Sequence, residues 1–243
     1  MDALLDVARL CKRYGAIVVA DEVSFSLDDR SCIGLIGPNG AGKSSLFNLI
    51  TGIVAPDGGT IAFAGKDITS LAPHHRARVG IVRAFQIPQP FAHLSVYENV
   101  LAACCYGAGL AGAEAEDWAM AVLAQTELVA KGELLAGRLR LLDRKRLELA
   151  KAIGSRARLL LLDEIAGGLT EHEVAAIVRL IDGLKADHAI IWIEHIPHAL
   201  RAVADRMLVL HFGRKLFDGN PAEVMASPLF REIYMGLPAD AAA

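Results

Sequence analysis

Residues 22–27 alternate polar and apolar, with Val23, Phe25 and Leu27 on one side, as in a half-buried strand. Residues 31–36 form a short apolar run suited to a buried strand. A glycine-rich turn follows, then a helical pattern over 43–50 with Gly52 placed as a stop. Pro56-Asp57-Gly58-Gly59 is turn chemistry, and residues 60–63 read as the next strand. Residues 88–143 change character: they are rich in Ala, Leu and Glu and read as mostly helical. Over 144–153, Leu147, Ala150 and Ile153 stay near one helical face. Residues 159–162 are all leucine and end in Asp163-Glu164, the pattern of a central parallel strand. A helix over 171–184 and a buried strand over 189–193 follow, and residues 207–210 continue the β pattern. Asn220-Pro221 and Ser227-Pro228 each place an N-cap before a proline at the first helical position, with Gly236 closing the second helix and 239–243 a frayed tail.

Strands alternating with helices predict an α/β fold: a mostly parallel sheet with helices on both faces. Ligands in such sheets bind beyond the carboxyl ends of the strands, here after Ile36, Leu162 and Ile193. The 243 residues are 53% hydrophobic, enough for a sizeable core and against disorder. A net charge of −3 weighs against nucleic-acid binding. The first residues are acidic where a signal peptide is basic, and the longest mildly apolar run, 100–113, holds three glycines and is too short to span a bilayer. Any membrane role is therefore expected through a partner, with the chain itself in the cytoplasm. Cys11, Cys32, Cys104 and Cys105 lack zinc spacing. Cys32 reads as core, and Cys104-Cys105 as buried free thiols, with redox sensitivity the alternative. His74-His75 and Arg76 read as a solvated basic patch, and Trp192 as core.

Gly37-Pro38-Asn39-Gly40-Ala41-Gly42-Lys43-Ser44 fits G-x-x-x-x-G-K-[ST] between a strand and a helix. Glycines let the backbone turn its N–H groups onto phosphate oxygens, and the helix adds its positive end. Gly37, Asn39, Gly40, Gly42, Lys43, Ser44 and Ser45 are thus the candidate nucleotide-binding positions. Lys43 supplies charge for the β- and γ-phosphates, and the Ser44 hydroxyl suits Mg²⁺. Asp163 is placed to hold Mg²⁺ through water, and Glu164 to orient or deprotonate an attacking water. Two acids capping a helix would give the same local pattern. His195, one strand further on, is placed to hydrogen-bond both phosphate and water.

In this order, the phosphate loop, Gln86, helical insert, Asp163-Glu164 and His195 resemble the nucleotide-binding subunits of ABC transporters over essentially the whole chain. The resemblance implies a P-loop NTPase fold with a RecA-like sheet, an N-terminal antiparallel β subdomain and an inserted α-helical subdomain. It places the ATP-binding core at 1–87 and 144–220, the helical signature subdomain at 88–143, and C-terminal helices and tail at 221–243. It implies ATP and Mg²⁺ as cofactors. Tyr14 resembles the aromatic that stacks on adenine, and Gln86 the glutamine that touches Mg²⁺ and links core to insert. Asp163, Glu164 and His195 resemble the Walker B acid, catalytic glutamate and switch histidine. The segments Gly80-Ile81-Val82-Arg83-Ala84-Phe85-Gln86, Leu94-Ser95-Val96-Tyr97-Glu98-Asn99-Val100, Trp192-Ile193-Glu194-His195 and Ile233-Tyr234-Met235-Gly236 are similar to ATPases of branched-chain amino acid importers. The lipopolysaccharide-export ATPase is similar in the same places.

The resemblance implies transmembrane permease subunits as partners, docked around residues 86–100 by a short helix, a solute-binding protein acting indirectly, and no nucleic acid. It also implies a second ATPase subunit. The family's Leu-Ser-Gly-Gly-Gln signature is here Leu139-Arg140-Leu141-Leu142-Asp143, so this chain's contribution to an opposing ATP site is expected to be weak. After Walker B, Ile165 replaces a proline and Thr170 an acid. A subunit with little or no hydrolysis, and a soluble ABC protein acting on DNA or ribosomes, stay as alternatives. A P-loop kinase or GTPase lacks support, because no guanine-type motif is present.

Overall fold

The computed structural model describes residues 3–227 and 230. The second expected C-terminal helix, with Gly236, the segment at 233–236 and the tail fall outside these residues.

Among the described residues, ten strands form two sheets. The first is antiparallel: β1 (Leu5–Tyr14), β2 (Ile17–Leu27), β4 (Gly58–Phe63) and β5 (Lys66–Asp67), in the order β2-β1-β4-β5. The second holds β3 (Cys32–Ile36), β6 (Ile81–Ala84), β7 (Leu159–Asp163), β8 (Ala189–Ile193), β9 (Arg206–His211) and β10 (Arg214–Gly219), in the order β10-β9-β3-β8-β7-β6. Its four pairings from β9 to β6 are parallel, and β10 pairs antiparallel with β9 at the edge. Every position of β3, β7 and β8 is buried, which is why these strands read as unbroken apolar runs.

Successive residues of the buried strands face opposite sides, and two cores result. One gathers Ile36, Leu160, Leu162, Ile190 and Trp192. The other gathers Ile33, Leu35, Leu159, Leu161 and Ile191 with the antiparallel sheet and helix α1 (Lys43–Thr51). The first core is covered by α3 (Val96–Ala102), α4 (Gly112–Gln125), α5 (Leu141–Gly154), α6 (Glu171–Leu184) and α7 (Pro197–Val203). The short α2 (Pro73–Arg78) precedes β6, and α8 (Pro221–Ala226) follows β10. A π-helical turn at Ala103–Gly107 extends α3. Capping boxes start α3 at Ser95-Glu98 and α6 at Thr170-Glu173, so Thr170 serves as a helix cap. Among the described residues no helix is long and apolar enough to cross a membrane.

Three expectations need correction, the third at Cys105. The helix expected over 144–153 begins earlier, at Leu141, with Arg140 as its N-cap. Arg76 is not solvated: it is 1% exposed while His74 and His75 are exposed. Its guanidinium donates to the carbonyls of Leu49, Ile50, Thr69 and Leu71 at 2.7–2.9 Å, closing the C-terminal end of α1. Trp192 and Cys32 lie in the core as expected. Cys104 is buried, with its thiol pushed up to about 11 chiefly by desolvation, whereas Cys105 is only partly buried.

Candidate functional site

The loop between β3 and α1 forms a cavity of about 290 Å³, lined by Ile17, Val19, Asn39 to Ser45 and Glu164. Gly42, at the N-cap of α1, has φ 102° and no side-chain cap. The first backbone N–H groups of the helix therefore have no intrahelical acceptor and open onto the cavity. A Cβ on Gly42 would sit 2.3 Å from the Val19 carbonyl oxygen, so the loop can pass here only without a side chain. Gly42→Val is expected to weaken nucleotide binding by about tenfold or more, read by titration with a fluorescent ATP analogue. Native-like affinity would show that the loop has room the geometry denies it.

Lys43 is 6% exposed, and its Nζ donates to the carbonyls of Gly37 (2.7 Å) and Pro38 (3.0 Å). Burial lowers its pKa, opposed by the charges of Glu164 and Asp163. The lysine is thus held inside the loop, near two carboxylates.

Glu164 follows β7 in a left-handed backbone conformation, φ 46°, which is strained for a non-glycine residue. Its main-chain N–H still bonds Ile193 O, so the strain turns the side chain without breaking the strand pairing. The carboxylate is held from both sides: Gln86 Nε2 donates to Oε2 at 2.5 Å, and His195 Nε2 lies 2.7 Å from Oε1. Gln86 comes from the end of β6 and His195 from the end of β8, so three strand ends converge on one carboxylate.

Asp163 is buried and pairs with Arg83, whose Nη1 also donates to Asn48 of α1 at 2.8 Å. Tyr14 lies 49% exposed at the end of β1, paired with Ile17, which lines the cavity. Of the sequence-predicted positions, Asn39, Gly40, Gly42, Lys43, Ser44, Ser45 and Glu164 line the cavity, and Gln86 and His195 reach it through Glu164.

Three partners in the cleft carried no clear sequence signal. Lys145, 2% exposed on α5, donates to the main-chain oxygens of Gln86 and, at 3.4 Å, Glu164. Its pKa is lowered mainly by burial, with Glu194, Glu164, Glu148 and Asp163 pulling it up. Glu194, 1% exposed, accepts from the N–H groups of Ala166 (2.7 Å) and His195 (3.1 Å) and is raised above the usual carboxylate range by burial. It ties the loop after β7 to the histidine. Arg83 is the third.

Arg140 and Leu141 are exposed at the start of α5. Asp143 turns inward, pairing with Lys131 at 2.6 Å and lying 3.7 Å from Arg146. It sits in the first turn of α5, where a negative charge is favoured. The Leu141 side chain lies 3.3 Å from where a Cβ on Gly168 would be, filling space beside the loop after β7.

A second, larger groove of about 500 Å³ lies away from the phosphate loop, lined by Arg83, Phe85, Phe91, Leu94, Tyr106 and Lys151, among others. Phe91 and Tyr106 are largely exposed.

Residues 20–167 match the family model described as ABC transporter. The chain belongs to the ABC transporter family. Its relatives include the high-affinity branched-chain amino acid transport ATP-binding protein BraF of Pseudomonas aeruginosa, 32% identical over 96% of this chain and 98% of that protein. The corresponding protein LivG of Salmonella typhimurium is 34% identical with the same coverage. The lipopolysaccharide export system ATP-binding protein LptB of Acidithiobacillus ferridurans is 34% identical over 97% of this chain and 98% of that protein. Among solved structures, the ATP-binding cassette MJ1267 in its ADP conformation superposes with a TM-score of 0.87 at 28% identity, covering 98% of this chain and all of that one. The ABC fold accounts for the paired parallel and antiparallel sheets and the helices packed on them.

Among the described residues no cluster of His, Cys, Asp and Glu makes a metal cage. Mg²⁺ needs none, since it keeps waters and is held by one or two protein oxygens plus substrate phosphates. The oxygens of Ser44, Gln86 and Asp163 fit that pattern, and the uncapped start of α1 fits a phosphate.

Proposed function

We propose that this chain is the ATP-hydrolysing subunit of an ABC importer for branched-chain or other hydrophobic amino acids, or related small molecules. The observation that carries the reading is Glu164, held between Gln86 and His195 beside the glycine cradle. A carboxylate fixed on both oxygens is oriented to receive a proton from water attacking a γ-phosphate. His195 keeps the carboxylate aligned, and Gln86 joins it to the helical insert. Gly37, Asn39, Gly40, Gly42, Lys43, Ser44 and Ser45 hold the phosphates, and Tyr14 closes the base side. Ser44, Gln86 and Asp163 would hold Mg²⁺, which would neutralise charge on the phosphates. The large apolar groove serves a permease subunit, with Phe85, Phe91 and Tyr106 as its contact surface, which puts the chain on the inner face of the membrane.

The substrate class rests on the relatives' names, and LptB-like export is the competing reading. Co-purification of the chain with permease subunits, followed by substrate-stimulated ATP turnover in vesicles, decides between them. Stimulation by leucine or isoleucine supports the importer. Stimulation only by lipopolysaccharide overturns it.

The signature loop points to a heterodimer. Arg140 replaces serine and Leu142 replaces glycine where backbone N–H groups would approach an opposing phosphate, and Asp143 is committed to Lys131. In this reading the chain completes a partner's site poorly, while a second ATPase subunit completes its own. Purified alone, it should bind ATP and turn it over slowly. Arg140→Ser with Leu142→Gly should raise turnover of the isolated chain by about tenfold, since one oxyanion-type donor set contributes at least that much. An unchanged rate at every protein concentration would remove the asymmetry argument.

A further inference from the structure

Asp163, the acid placed for the metal, already has a cation. Arg83 Nη2 pairs with its Oδ2, and both side chains are about nine-tenths buried. The guanidinium is held on three sides: by Asp163, by Asn48 Oδ1 at 2.8 Å, and by the rings of Phe47 and Phe85 at 5.6 and 5.0 Å. Its Nε is buried with no acceptor. The anchoring is therefore incomplete, and an arginine lacking one acceptor exchanges partners at lower cost than one fully satisfied. Arg83 also belongs to the wall of the large groove, beside Phe85. One side chain thus touches the metal-holding acid, the helix that carries the phosphate loop, and the groove.

We propose that Arg83 is a built-in competitor for the metal: its guanidinium occupies Asp163 in the resting chain and must yield before the acid can serve Mg²⁺. This rests on reading the chain as a Mg²⁺-nucleotide site. The physical reason is direct. The guanidinium carries a positive charge. It shares a buried carboxylate with an incoming dication, and like charges in a low-dielectric site repel strongly. A resting subunit with its acid neutralised holds nucleotide with weakened metal, which suppresses idle hydrolysis. Arg83 is a positioning residue, not one that touches the reacting atoms.

The test measures metal affinity instead of turnover. Mn²⁺ is titrated into the full chain with a non-hydrolysable ATP analogue and followed by electron paramagnetic resonance, for the native chain, Arg83→Gln and Arg83→Lys. Unfolding midpoints without metal are recorded alongside. Arg83→Gln, which keeps a hydrogen bond but removes the charge, should bind Mn²⁺ about tenfold tighter, and Arg83→Lys should stay near native. A weaker or unchanged Mn²⁺ affinity in a folded Arg83→Gln chain overturns the proposal and leaves Arg83 an orienting group for Asp163. Should Arg83→Gln fail to fold, nitrogen-15 NMR of the native arginine side chain replaces it. Loss of the slowly exchanging Arg83 guanidinium protons on adding Mg²⁺ with the analogue supports release, and their persistence overturns it. If the analogue binds no folded variant, the nucleotide-site reading itself fails, and this inference with it.

Discussion

Glu164→Gln is expected to lower ATP turnover by at least about a hundredfold while leaving ATP affinity within a few fold of native. General-base assistance contributes roughly 10²–10⁴ in rate. Glutamine keeps the shape of Glu164 and can still meet His195 Nε2 and Gln86, so the cleft should not collapse. What it loses is the capacity to accept a proton. Phosphate release under saturating ATP, with binding of a fluorescent ATP analogue measured in parallel, separates the two roles. Turnover within a few fold of native would show that Glu164 is a structural cap. Loss of binding together with turnover would show that the substitution damaged the cradle instead.

Lys145→Met should destabilise the fold by about 3–5 kcal/mol, the range for removing one partner from a buried charge cluster. Methionine matches the length of lysine, so the loss is of charge and hydrogen bonds and not of volume. Lys145 is a buried cation near Glu194, Glu164, Glu148 and Asp163, and it joins α5 to the main chain at Gln86 and Glu164. Without it, carboxylates are left to repel one another in the interior. Urea unfolding gives the readout: a midpoint well below native is expected, with Lys145→Arg in between. A Lys145→Met chain that unfolds at the native midpoint would mean that the acids are neutralised by other means.

The central parallel strands β3, β7 and β8 were legible because burial on both faces leaves a continuous apolar run, as at 159–162 and 189–193, whereas β6 was not. The phosphate loop was legible because its glycines and lysine have a fixed order. β1 was not. Leu5 and Val7 alternate, but the next buried residue is Leu10, because Arg9 adopts φ 47° at a register shift against β2. A bulge adds a residue and breaks the period of two on which such reading depends. Lys145 was hidden for a different reason. In Arg144-Lys145-Arg146 nothing local distinguishes the lysine that turns into the core from neighbours that reach water. Arg76 was misread in the same way, since a basic residue beside two histidines looks solvated until the carbonyls it serves are brought near by the fold. Arg83 sat inside a recognised segment, yet its partner Asp163 lies 80 residues away, so only the sheet could join them.

The two ends of α1 are finished unequally. At its C-terminal end, Arg76 is packed against the last carbonyls; at its N-terminal end, Gly42 offers no cap. A bound phosphate would then be the missing cap, and nucleotide becomes part of what keeps the chain folded. By mass action, ligand at a hundred times its dissociation constant adds about 2.7 kcal/mol to stability. Cellular nucleotide supply would then set how long this subunit survives proteolysis as well as how fast it works.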